Sequence, residues 1–415
     1  MGSDSRSHWE IWQDTRRLAL DGVLPPFSLP RRALGFARKT LLGGRGSQNA
    51  DSWIHLVSST RRPRIAVVSG CGGDSRRYRC EHLLETLQIL GGDGIILEAQ
   101  QSLPADAANM LSNLEGIVFH RAAWSPQIQA LVESAKKLKK FLIFDTDDLV
   151  FDVQEDPSQD KGVGRFGKGQ AVAEQFKTMQ ACQMVMTSTD FLKSRVESLG
   201  LSATTLRNGF SSQMLQSAEA TRMRRSKEQI ILGYASGTPT HDRDLQVIEQ
   251  GLVWTLERYS QVHVHLMGYI RKPHSLSGFG SRVQRRPFVH WSDLPQRLRD
   301  IDINLAPFSQ DSVFSKGKSA LKHMEAALVA VPTIASPMPA YLNAIESGKN
   351  GLIAQSDVDW RDHLQLLIEN TSARLALGNN AQKTVLERDS LEKRSIVLRD
   401  ILDSLRLGPE ALTSQ

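Results

Sequence analysis

The sequence predicts an α/β protein of two Rossmann-like, doubly wound domains facing a cleft, preceded by a basic arm. Three observations carry this. From Arg64 onward, short apolar runs alternate with helical stretches, the pattern of βαβ units and parallel sheets. The chain has 415 residues, enough for two cores. The first run, Arg64–Ser69 (RIAVVS), passes straight into Gly70, Cys71, Gly72 and Gly73 and then a helix, as such a domain opens. That loop is not G-x-G-x-x-G, so it does not specify a dinucleotide site.

Composition narrows the class. Hydrophobic residues make up 40% and charged residues 23%, ordinary values for a globular chain. Three scattered cysteines, Cys71, Cys80 and Cys182, give neither a disulfide framework nor zinc-ligand spacing, and fit a reducing compartment. No apolar run approaches the roughly 20 residues of a membrane span, and no signal peptide is visible, so a cytoplasmic location is expected. The net charge is +6. Residues 1–64 hold 11 Lys/Arg against 5 Asp/Glu, which accounts for that whole excess. The remainder is neutral, which argues against a nucleic-acid partner.

The expected organisation is an arm over 1–61, a first domain over 62–220, a second over 221–389, and a final helix over 390–415 crossing back. In the arm, Trp9, Trp12 and Leu18 suit a short amphipathic helix that Pro25 and Pro26 end. Arg31–Leu42 is a second, basic amphipathic segment. Such a segment suits peripheral contact with an anionic membrane face. An arm packed on the body, or a loose tail, fits the same residues.

In the first domain, strands are expected at 64–70, 94–98, 116–121, 141–152 with its exit, 184–188, and 203–209 with its turn. A helix over about 75–90 follows the glycine loop and carries Arg76, Arg77, Tyr78 and Arg79. His120 and Arg121 end the third strand, and ligands of open α/β sheets bind at such carboxyl ends. The fourth strand exits through Asp145, Asp147, Asp148 and Asp152; four carboxylates suggest magnesium, which is the disfavoured reading, and Asp147 and Asp148 also suit capping of the next helix. The stretch 154–169 is polar and glycine-rich and reads as a loop beside the cleft.

The second domain opens with a strand over 229–236, then a small-residue loop, Ser236-Gly237-Thr238-Pro239-Thr240, that offers backbone N–H groups to a phosphate. Strands are expected over 262–268 and 287–291. His263 and His265 alternate on the first of these, and one exposed face is the preferred reading over a metal pair. The chain is organised around 314–351. A loop leads to a helix over about 316–329 and a buried strand over 331–336. On that helix Lys318, Lys322 and Glu325 fall at i, i+4 and i+7 and share a face. Two cations near a helix start form an anion site, and a carboxylate further along can take the vicinal hydroxyls of a ribose. A solvated face with an incidental ion pair is the plainer reading of the same pattern.

Phe314, Lys318-Ser319, Lys322, Glu325, Pro332, Ala335-Ser336, Tyr341, Gly348 and Asn350-Gly351 together resemble the donor-binding motif of family-four retaining glycosyltransferases of the polysaccharide-biosynthesis type. The D-x-D-D-L run at Asp145–Leu149 and the G-Y-A-S-G-T-P-T-H run ending at His241, with Asp244 beyond it, extend the resemblance over about 62–405. It implies the GT-B fold and transfer of a sugar from a UDP- or GDP-sugar to a hydroxyl of a glycan, glycolipid or related acceptor. It further implies retention of configuration, no metal and no cofactor.

By the same resemblance His120 and Lys318 serve catalysis. Ser236, Gly237, His241, Asp244, Gly317, Ser319, Lys322 and Glu325 line the donor side, with Glu325 on the ribose. Gly72, Gly73, Arg77, Tyr78, Asp147 and Asp148 face the acceptor. Gly317 departs from the motif, which carries a glutamate there. That departure favours one alternative, an inactive GT-B-like binding protein. A nucleotide-sugar epimerase of the same fold is the other.

Overall fold

The computed structural model describes residues 62–100, 111–151, 169–221, 228–237, 242–309 and 313–407. The expectations for the arm, for most of the 154–169 loop, for Thr240 and His241, and for the last residues lie outside these. Among the described residues there are two parallel sheets of six strands. The first runs β2 (Asp93–Glu98), β1 (Arg64–Ser69), β3 (Gly116–His120), β4 (Phe141–Thr146), β5 (Met184–Thr187) and β6 (Ala203–Thr205) in spatial order. The second pairs β7 (Ile230–Ser236) with β8 (Val262–Gly268), and β8 with β9 (Val283–Arg286). On the other side of β7 come β10 (Ile303–Ala306), β11 (Thr333–Ala335) and β12 (Leu352–Ile353).

The central strands β1, β3 and β4 are buried along their whole length, as parallel strands covered on both faces must be. Their alternation sorts the core into two layers. Ala66, Val68, Ile117, Phe119, Leu142 and Phe144 face one side, and Ile65, Val67, Val118 and Ile143 the other. The second layer is closed by the helix His82–Ile89 and by the last helix, Leu391–Leu407, through Leu398, Ile401 and Leu402. No helix among the described residues is long and apolar enough to cross a membrane.

Several local expectations are corrected. The strand expected over 287–291 lies at Val283–Arg286 instead, because Pro287 has no N–H to donate to a ladder. His265 is buried and His263 half-buried, so they do not form an exposed face. The cause is that β8 is an interior strand, flanked by β7 and β9. The helix that starts at Gly73 contains a π-helical turn, Arg77–Glu81. The single helix expected over 316–329 is two, Val313–Lys316 and Leu321–Leu328, so Lys318 lies in the break and does not share a helix face with Lys322 and Glu325.

That break has a packing cause. Phe314 belongs to the second half of the chain but packs into the first domain's core with Phe119, Leu149 and Leu192. Reciprocally, Tyr78 of the first half packs with Met324, Leu298 and Ala327 of the second. The two halves are therefore keyed together. Phe314→Ala is expected to cost about 3–5 kcal/mol, the loss typical of a buried aromatic. Chemical denaturation checks this; a loss under about 1 kcal/mol, the scale of an ordinary surface change, would show that the ring is not a key.

Candidate active site

The floor of the cleft is set by strand register. Ser69 pairs with His120, and His120 with Asp145, at the carboxyl ends of β1, β3 and β4. Period-two alternation puts His120 and Asp145 on the same face, where His120 Nδ1 and Asp145 Oδ2 meet at 2.8 Å. Both side chains are 0% exposed. The π-helical turn brings Arg79 over them. Its Nε donates to Asp145 Oδ2 at 3.0 Å and its Nη2 to Oδ1, while Nη1 donates to the Leu206 carbonyl at 2.6 Å and to Asn208 Oδ1 at 3.0 Å. Burial alone would raise the Asp145 carboxyl; Arg79 and His120 hold it below the ordinary range.

The next shell faces the cleft. His120 Nε2 lies 3.0 Å from Ser75 Oγ and 3.4 Å from Cys71 Sγ. Ser75 Oγ donates to the Asp147 carboxylate, at 2.7 Å to Oδ2 and 2.8 Å to Oδ1. Arg121 ion-pairs with Asp147 at 3.1 Å and with Asp148. Lys318 crosses from the second domain to donate to Asp148 Oδ1 at 2.6 Å. Arg121 holds a left-handed φ of 48°, and Gly70 passes so close that a Cβ there would lie 2.1 Å from the Arg121 carbonyl oxygen.

Burial pulls the His120 imidazole down, yet its bonds to Asp145 and Cys71 raise it to about 9. A raised base contributes stability in full below its unfolded value near 6.5, and that contribution is lost as pH rises through about 9. The melting temperature of the wild type is expected to fall between pH 7 and 10 more than that of His120→Gln. Parallel curves for the two would refute the charged state.

On the opposite wall, β7 ends in buried Ser236 and exposed Gly237. Gly268, with φ of 86°, lets the chain pass where a Cβ would lie 2.2 Å from the Ser236 carbonyl oxygen. Glu325 accepts from Tyr78 OH at 2.6 Å across the cleft, and Arg77 Nη2 lies 3.9 Å from the same oxygen. The Arg77 guanidinium also donates to Asp74 at 3.1 Å and lies over the rings of Tyr78 and Trp291. Burial raises the Glu325 carboxyl. The Lys322 ammonium faces the rings of Tyr234 and Phe308, and burial lowers it. A cavity of about 180 Å³ lies here, lined by Arg77, Tyr78, Ser236, Gly237, Lys322 and Glu325 and also by Phe288 and Trp291.

Thus Ser236, Gly237, Lys322 and Glu325 share one cavity with Arg77 and Tyr78, while His120, Asp147, Asp148 and Lys318 form a second cluster on the floor. Ser319 accepts from Asn208 at 3.1 Å, and the Gly317 carbonyl accepts from Thr189 at 3.4 Å, so both tie the domains together. Asp244 accepts from the Ser309 N–H at 3.0 Å and anchors the loop after β10. Gly72 caps the helix start and Gly73 takes a φ of 74°, with open space where a Cβ would stand on either. Among the described residues, Asp147 and Asp148 cap no helix; they bind side-chain cations, and Asp147 also accepts from Ser75. Sequence reading gives no role to Ser75 or Cys71; by resemblance it sets Arg79 with Arg77 and Tyr78 where the acceptor enters, and Trp291 on a strand near the base-binding edge. An arginine among the buried positions of a helix was the one available signal.

Residues 248–403 match a family model described as glycosyl transferase-like. No curated protein sequence matches the chain. Among solved structures, HepE of Anabaena, in complex with UDP and glucose, aligns with a TM-score of 0.58 at 12% identity, over 82% of this chain and 99% of that one. A glycosyltransferase of Rickettsia africae aligns at 0.61 and 12% identity, over 84% and 100%. Sucrose-phosphate synthase of Thermosynechococcus elongatus aligns at 0.57 and 13% identity, over 83% and 100%. The architecture is GT-B, and its second half carries a glycosyl transferase-like domain.

Proposed function

We propose that this chain transfers a sugar from a nucleotide-sugar donor to a hydroxyl of a glycan, glycolipid or related acceptor, with retention and without a metal. The observation that carries this is the cavity shared by Glu325, Lys322, Ser236 and Gly237. Its chemistry matches a nucleoside diphosphate part by part. The rings of Phe288 and Trp291 suit a base, the carboxylate suits vicinal ribose hydroxyls, and the cation with the backbone at Gly237 suits a diphosphate. Lys318 stands ready to leave Asp148 for the departing phosphate, stabilising charge where it develops.

Metal independence is supported by the floor itself: Asp145, Asp147 and Asp148 are each held by arginine, lysine or histidine. Retention and a cell-surface polysaccharide or glycolipid acceptor rest on the resemblance of the donor motif. The reading is tested by thermal shift and calorimetry against UDP, GDP, ADP and their sugar conjugates, with and without chelator. UDP-sugars come first because HepE was solved with UDP-glucose. A selective shift with one nucleotide family, unchanged by chelator, is the expected result. No shift with any would overturn the reading.

One observation favours a second reading, a binding protein without turnover. At Gly317, where the motif has glutamate, a Cβ would stand 3.0 Å from Leu192 of the first domain. Donor hydrolysis or transfer by the purified chain rejects it.

A further inference from the structure

We infer that Cys71 is a peroxide-reactive thiol, activated by a Cys71–His120–Asp145 relay at the floor of the cleft. The geometry is that of an activated nucleophile: a thiol 3.4 Å from an imidazole nitrogen whose other nitrogen is fixed at 2.8 Å by a buried carboxylate. Ser75 is not the nucleophile of this group. Its proton is directed at Asp147, so its oxygen accepts from His120 and leaves the sulfur as the second acceptor for the same N–H.

Charge points the same way. Asp145, Asp147 and Asp148 are matched by Arg79, Arg121 and Lys318, so a protonated His120 adds a further positive charge beside the sulfur. Arg121 Nη1 approaches Sγ at 3.9 Å, and Ser75 Oγ lies at 3.5 Å. Burial alone would push the Cys71 thiol up; His120 and Arg121 bring it below the ordinary thiol range. Cys71 is half-buried, with Gly70, Gly72 and Gly73 around it, so a small reagent has access. Cys80 is buried and raised by that burial, and burial also raises Cys182. They serve as internal controls.

The step balances without help from elsewhere. The thiolate attacks the terminal oxygen of a hydroperoxide, an S–O bond forms and the O–O bond breaks. Sulfur is oxidised to the sulfenic acid, the peroxide is reduced to alcohol or water, and the leaving oxygen takes the Nε2 proton of His120. None of this requires the transferase reading, and the test reads labelling, not turnover.

The full-length chain is exposed to hydrogen peroxide with dimedone, which traps sulfenic acids, and in parallel to iodoacetamide across pH 5–10. Peptide mass spectrometry follows all three cysteines. Expected are a dimedone adduct at Cys71, alkylation of Cys71 at pH 6.5 about tenfold faster than of Cys182, and a rate midpoint below the ~8.5 of a free thiol. His120→Gln is expected to slow Cys71 about tenfold at pH 6.5 and move the midpoint up. Equal rates at Cys71 and Cys182, or a wild-type midpoint at or above the free-thiol value, overturn the inference. The wild-type profile decides this even if His120→Gln does not fold.

Discussion

Asp145→Ala is expected to destabilise the protein by about 3–5 kcal/mol, because it strands a buried guanidinium and a buried imidazolium. Arg79 is 1% exposed, and both its charge-assisted bonds to a carboxylate end on Asp145. Neither Leu206 nor Asn208, its other acceptors, carries charge. Asp145→Asn keeps the shape but loses the charge, so most of the cost remains. Asp148→Asn is the control. One partner, Lys318, is about a quarter exposed and can turn to water, and the other, buried Arg121, keeps its pair with Asp147, so a smaller cost than for Asp145 is expected. Melting temperature reads both, with a drop on the order of 10 °C expected for Asp145→Ala. Equal drops in the two carboxylate variants would mean that the buried cluster is not the anchor of the first domain.

Donor affinity gives the second large effect. Glu325→Ala is expected to weaken donor binding about 100-fold, the loss of two charge-assisted bonds to ribose hydroxyls at about 1.5 kcal/mol each. Lys318→Ala is expected to act on turnover more than on binding, since its ammonium sits on the floor beside Asp148 and not in the cavity wall. Tyr78→Phe separates the explanations. The Tyr78 hydroxyl holds the Glu325 oxygen that a ribose would need. Removing it is expected to leave donor affinity unchanged or raise it a few-fold, although the ring's packing with Met324 stays. Calorimetric titration distinguishes these outcomes. Full donor affinity in Glu325→Ala would sink the ribose assignment.

Much of the fold was legible because its signals are local. The runs RIAVVS, GIVFH and FLIFDT each hold an unbroken apolar stretch, as doubly covered parallel strands do, and they became β1, β3 and β4. The last helix, expected within 390–415, lies at Leu391–Leu407. Where a local signal met a longer-range constraint, the constraint won. The helical period through Lys318 was real, yet the chain breaks there because Phe314 is drawn into the other domain's core. His263 and His265 alternate as an exposed face would, but β8 has a strand on either side.

The sequence by itself determined two parallel α/β units, the basic arm's composition, and the residue types of the candidate site. Tertiary structure alone decided which of those residues meet. Asp145 and His120 are 25 residues apart and touch because parallel register sets them side by side. Tyr78 and Glu325 are 247 apart, and Lys318 and Asp148 are 170 apart; both pairs exist because the two halves are keyed by Phe314 and Tyr78. Hydrophobic periodicity fixes which face of a segment is buried. The register between strands and the docking of one domain on another depend on how those faces pack together in three dimensions.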